Sequence, residues 1–126
     1  MKDLKKYFRI KADPMDIYAC LTNPTTIELW SGYPAKMEDR PGTEFEIWGG
    51  DISGKIISLE PGKKIVQQWY FDPQEEPSIV TIKLHPDKHH VSVELRHTNI
   101  PDEVFEEFEE GWEEHFFGGI ISFLED

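Results

Sequence analysis

Cysteine, basic residues and long apolar runs are all scarce in this chain of 126 residues. Cys20 is the single cysteine, so no internal disulfide can form and a reducing compartment is permitted. With no histidine motif beside it, Cys20 reads as a small buried residue rather than a nucleophile. No stretch approaches the roughly 18 apolar residues of a membrane-spanning helix. The charged start Met1–Lys6 lacks the apolar run of a signal peptide. Lys and Arg number 13 against 25 Asp and Glu, a net charge of −12. That balance excludes nucleic acid and anionic membrane surfaces as partners, since both recruit Lys and Arg. One soluble, cytoplasmic domain over residues 1–126 is expected, long enough to bury roughly two-thirds of its unfolded surface.

The acidity is concentrated at one end. Residues 102–126 hold ten acids and no Lys or Arg, leaving 13 basic against 15 acidic residues, −2, over residues 1–101. Through the acidic segment runs an apolar stripe, Phe105, Phe108, Trp112, Phe116, Ile120 and Phe123, at steps of three and four. This spacing places six large side chains on one face of a helix of about six turns, which needs a broad apolar partner. Upstream, Tyr7–Ala12 alternates as a half-buried strand, with Phe8, Ile10 and Ala12 inward. Asp13-Pro14 and Asn23-Pro24 each start a short helix, a capping side chain followed by proline at the first helical position. Ile17, Tyr18 and Leu21 face inward from the first of these, Ile27 and Trp30 from the second.

Turn signals divide the remainder into strands. Gly49-Gly50 fits a two-residue hairpin, because glycine tolerates the positive φ angles such turns need. Closing Trp48 on Asp51 pairs Ile47 with Ile52 and Phe45 with Gly54. Pro61-Gly62 is a turn signature that closes Glu60 on Lys63, pairing Ile56 with Gln67 and Gly54 with Trp69. A last hairpin around Pro86–His89 pairs His85 with His90, and so Leu84 with Val91, Ile82 with Val93 and Val80 with Leu95. One apolar and one polar face emerge together from that register. The fold class is therefore α+β: a curved antiparallel sheet of six to seven strands packed on a long C-terminal helix, with two short helices after strand 1.

No catalytic constellation accompanies this architecture. The cluster Gly49–Gly54 has neither the Lys-Ser/Thr pair nor the following helix of a phosphate cradle. His85, His89, His90, His97 and His115 have no ligand spacing, so neither metal nor cofactor is expected. No serine lies in a nucleophile elbow, and the helix acids avoid the aromatic stripe and stay in water. The polar residues that stand out are Ser58 and Gln67, both expected on the covered face among large apolar groups. A buried amide or hydroxyl needs a partner, supplied by the protein or by a bound molecule.

Four stretches resemble one known family: Leu29–Ala35, Trp48–Gly54, Pro61–Trp69, and Gly111-Trp112 ahead of Phe116–Ile120. They are similar, in order and spacing over roughly residues 5–124, to the START-like helix-grip superfamily (SRPBCC). More narrowly they resemble the C-terminal domain of the activator of heat-shock protein 90 ATPase and its single-domain bacterial relatives. The resemblance implies a curved sheet gripping a long helix, often around a cavity. The eukaryotic co-chaperone carries an additional N-terminal domain with a major chaperone contact, for which 126 residues leave no room.

A non-enzymatic, co-chaperone-like binding module is accordingly the expected function, with a heat-shock protein 90-type chaperone or another protein as partner. Its contact surface is expected on the acidic helix face at Glu106, Glu110 and Glu113. The alternative is a carrier or sensor of a small hydrophobic ligand, held between helix and sheet by Phe45, Ile56, Ser58, Gln67, Trp69, Trp112 and Phe116.

Overall fold

In the computed structural model, which describes residues 1–71 and 76–125, the C-terminal helix lies across a six-stranded antiparallel sheet. The strands are β1 (Lys2–Ile10), β2 (Glu44–Ile47), β3 (Ile52–Glu60), β4 (Lys64–Trp69), β5 (Ser78–Asp87) and β6 (His90–Ile100), in the spatial order β1-β6-β5-β4-β3-β2. Among the described residues the strand count is six. β1 begins at Lys2 rather than Tyr7, because pairing with β6 also orders the lysine-rich start and buries Leu4.

The two short helices form where their caps direct. In α1 (Pro14–Thr22) the Asp13 carboxylate accepts from Met15 N–H at 2.9 Å. In α2 (Pro24–Ser31) the Asn23 side chain accepts from Thr26 N–H at 3.0 Å, and Gly32 ends the helix at φ 81°. Ile17, Tyr18, Cys20, Leu21 and Ile27 are buried. Burial pushes the Cys20 thiol up to about 12, with Asp16 adding to the shift, so it carries no nucleophilic thiolate at neutral pH.

Two registers differ from those read along the chain. β3 and β4 start from Glu60 opposite Lys64, one residue off the expected closure, and a bulge at Ile57 then restores Ile56 opposite Gln67. The bulge turns the strand over. Leu59 thus takes the inner position opposite Ile65, while Ser58 pairs with Val66 on the outer face. The β5–β6 register is displaced by two: Leu84 faces Val93, Ile82 faces Leu95 and Val80 faces His97. The strands run on through Pro86 and Asp87 to a tight turn at Lys88-His89, with Lys88 in the left-handed region at φ 55°. The β2–β3 pairing holds as expected, and Gly54 makes room for Phe45. A Cβ there would meet the Gln68 carbonyl and lie 2.8 Å from the Phe45 ring.

The C-terminal helix changes pitch midway. Phe105–Gly111 (α3) and Phe117–Glu125 (α4) are α-helical, and Trp112–Phe116 between them forms a π turn in which Phe117 N–H bonds Trp112 C=O. One extra residue per turn rotates everything beyond it. Phe117 and Ile120 therefore enter the core, with Ile121 and Leu124 packed partly against it, whereas Phe123 stays 40 % exposed. A Cβ on Gly118 would sit 2.7 Å from the Glu113 carbonyl, and one on Gly119 would sit 3.1 Å from the Trp30 ring. Gly118 lets the π turn close, and Gly119 lets α2 pack on α4.

Gly118→Ala should therefore destabilise the fold by about 1–3 kcal/mol, the usual cost of forcing volume into a packed site. Urea unfolding measures it, and a neutral or stabilising change would show that the π turn relaxes without cost.

Candidate functional site

Sheet and helix meet in an aromatic cluster threaded by hydrogen bonds. Trp69 on β4 stacks on Trp112 of the helix at 4.9 Å between centroids and 24° between planes. Phe116 lies against Trp112 at 4.4 Å, and Trp48 and Trp30 pack on Phe116 at 5.4 and 5.1 Å. On the far side Phe117 stacks on Phe8 of β1 at 4.5 Å.

His97, which has no exposed surface, is the polar centre of this cluster. It shares the inner face of β6 with Val93 and Leu95, and the β5–β6 register sets it opposite Val80. Trp112 Nε1–H donates to His97 Nδ1 at 3.1 Å, so that nitrogen is unprotonated and the ring proton is on Nε2. His97 Nε2–H then donates to Ser78 Oγ at 2.8 Å, and the Ser78 hydroxyl donates to Thr98 C=O at 2.9 Å. Every group in the chain has its partner inside the protein. Desolvation holds the imidazole neutral, down to about 3 from 6.5, against a weak opposing pull from Asp3. Neither His97 nor Ser78 stood out in the sequence. His97 lies in no ligand or catalytic spacing, and Ser78 sits at the very start of β5.

The residues expected to line a cavity divide three ways. Phe45 and Ile56 are buried in the core, and Ser58 is on the other face of the sheet. Gln67 is 5 % exposed, and its Oε1 accepts from Trp69 Nε1–H at 2.9 Å. The space beside it, between Gln67, Ile82, Cys20 and Phe116, is only about 10 Å³, too small for a ligand. Trp69, Trp112 and Phe116 instead border an open groove of about 410 Å³, with Trp48, Asp51 and Ile52 on one wall and Glu107, Phe108, Gly111 and His115 on the other.

Of the three acids expected to meet a partner, Glu106 and Glu110 are exposed and point away from the sheet. Glu113 bridges to Lys6 Nζ of β1 at 3.3 Å, both groups on the surface. Among the described residues no three His, Cys, Asp or Glu side chains gather to hold a metal ion, and no helix is long and apolar enough to cross a membrane.

The chain belongs to the family of activator of Hsp90 ATPase homolog 1-like proteins, whose profile matches residues 11–125. It is 34 % identical over 122 residues to an activator of 90 kDa heat shock protein ATPase homolog from Dictyostelium discoideum, covering 94 % of this chain and 32 % of that one. It is 31 % identical over 111 residues to the human activator of 90 kDa heat shock protein ATPase homolog 1, covering 85 % of this chain and 32 % of that one. The chain thus spans about a third of the length of the curated relatives it matches. An HSP90 activator from Plasmodium falciparum shares the fold at TM-score 0.86 and 24 % identity, covering 94 % of this chain and 92 % of that one. So does the Aha1 dimer from Colwellia psychrerythraea, at TM-score 0.86 and 20 % identity over 98 % and 96 % of the two chains.

The neutral buried imidazole makes stability depend on pH with a definite sign. Unfolded His97 titrates near 6.5 and folded His97 only near 3, so between these values the unfolded chain holds the extra proton. The contribution is complete above about pH 6.5 and is lost as pH falls towards 3, at up to ~1.4 kcal/mol per pH unit. His97→Gln should lower stability at pH 7 and flatten the pH 4–6 limb by about that slope. Parallel wild-type and variant curves in denaturant titrations would remove His97 as the cause.

Proposed function

We propose that this chain is a non-enzymatic binding module that docks on an Hsp90-type chaperone and modulates its ATPase. The observation that carries this reading is the family membership, joined to an interior that leaves no room for a guest. In the core, Gln67 Oε1 accepts from Trp69, and His97 is bonded to Trp112 and Ser78. The small-ligand carrier expected as the alternative would need room beside its inward-facing polar anchor, and the space at Gln67 is only about 10 Å³. What remains for function is the surface.

The outer helix face supplies a surface of one charge. Glu106, Glu110, Glu113 and Glu114 are all exposed, in a segment without Lys or Arg. Such a face steers a basic partner in encounter more than it adds affinity, and its reach is about 10 Å at 0.1 M salt. The exposed Lys6–Glu113 pair adds little to stability, since surface pairs contribute roughly 0–1 kcal/mol.

Reversing Glu106, Glu110 and Glu113 to Lys should slow association with the chaperone at least tenfold at low salt, while leaving thermal stability nearly unchanged. Stopped-flow or surface-plasmon kinetics read the first, and the chaperone's ATP hydrolysis rate with added protein reads the consequence. Wild-type protein that neither binds the chaperone nor alters its ATPase would overturn the proposal, and unaltered association by the triple variant would move the contact to another surface.

A further inference from the structure

The two flanks of the C-terminal helix are treated differently. Towards β1 its charges and rings are matched by this chain's own cations. Lys6 bridges Glu113, the amino terminus bridges Asp102 at 2.8 Å, and Lys2 Nζ lies 5.1 Å from the centroid of the Phe105 ring. Towards the groove, Asp51 and Glu107 have no cationic partner among the described residues, and no Lys or Arg borders the groove. An aromatic cleft with carboxylates at its rim is a site for a cation carried on an apolar stem.

Two backbone features agree. Trp48 holds φ 52°, a conformation that a bulky residue rarely adopts, and so directs its ring to the groove wall. The other three indoles donate to Cys20 C=O, Gln67 Oε1 and His97 Nδ1, whereas that of Trp48 has no protein acceptor among the described residues. Opposite it, Gly111 sits in regular helix at φ −62° and ψ −40°, and a Cβ there would meet nothing within 4 Å. Neither dihedral nor packing requires glycine at 111, where alanine is the better helix former. The missing side chain keeps the groove open.

We infer that the groove between Trp48 and Gly111 is the docking site for an arginine- or lysine-bearing apolar segment of the partner protein, its cation lying over the Trp48 indole between Asp51 and Glu107. This deepens the chaperone reading and rests on it for the partner's identity. The groove chemistry itself is testable without the chaperone.

The peptide acetyl-Leu-Arg-Leu-Arg-Leu-amide, titrated into ¹⁵N-labelled protein, should shift the Trp48 indole signal, while the same peptide with Glu for Arg should not. Gly111→Phe should weaken both this peptide and the chaperone at least tenfold with the spectrum otherwise preserved. Gly111→Ala should raise the unfolding midpoint by roughly 4 °C and weaken binding less. Asp51→Asn with Glu107→Gln, which leaves the groove's shape intact, should weaken the peptide several-fold and reduce its salt dependence. A peptide that moves Trp48 when the chaperone does not bind at all supports the groove and overturns the chaperone reading. A chaperone bound equally by wild type and Gly111→Phe, or peptide shifts confined to the outer helix face, overturns the groove and leaves the chaperone reading standing.

Discussion

The position of the C-terminal helix on the sheet depends on one buried chain of hydrogen bonds, from Trp112 through His97 and Ser78 to Thr98. Apolar contact alone is non-directional and tolerates some sliding or rotation of a helix. An indole N–H or imidazole nitrogen stranded in an aromatic core is not tolerated, since each costs about 1–3 kcal/mol. The π turn follows from that requirement. Residues five apart in a regular α-helix project about 140° apart, yet Trp112 and Phe117 are both buried with centroids 5.8 Å apart. Winding one extra residue into the turn brings both rings to the sheet, and Gly118 leaves space for the carbonyl that the wider turn displaces.

Much of this was legible in the residues, and the failures have physical causes. The caps at Asp13 and Asn23, the Gly49-Gly50 turn and the inward faces of the strands, apart from β3 beyond its bulge, follow from local chemistry and period-two alternation. A shift of two residues conserves both faces, so alternation could not separate Val80 opposite Leu95 from Val80 opposite His97. The turn that decides between them places Lys88, not glycine, at positive φ. The bulge at Ile57 left no glycine or proline signal, and it moved Ser58 out of the interior. In the helix, steps of three and four gave the stripe correctly through Ile120; the π turn added Phe117 to it and exchanged Phe123 for Leu124.

The site was less legible than the fold for the same reason. Gln67 was marked by polarity in an apolar strand, and its Oε1 accepts from Trp69. His97 carried no such mark, because its importance comes from three elements meeting. β6 holds the ring, β5 supplies Ser78 and the helix supplies Trp112. The result is an interior closed to guests, with an open aromatic groove and an acidic face left on the outside of the same helix. A rigid inner face that fixes the outer one is the arrangement a docking module needs, because groove walls held in place lose little entropy on binding.

The state of His97 tests this account most directly. Side-chain ¹⁵N NMR on histidine-labelled protein reads the protonation of both ring nitrogens across a pH titration. The Nε2–H tautomer, with Nδ1 accepting from Trp112 and no protonation until pH approaches about 3 or the chain unfolds, is the predicted result. A midpoint near 6.5 in the folded protein, or a proton on Nδ1, would contradict the claim that this hydrogen-bonded chain fixes the helix on the sheet.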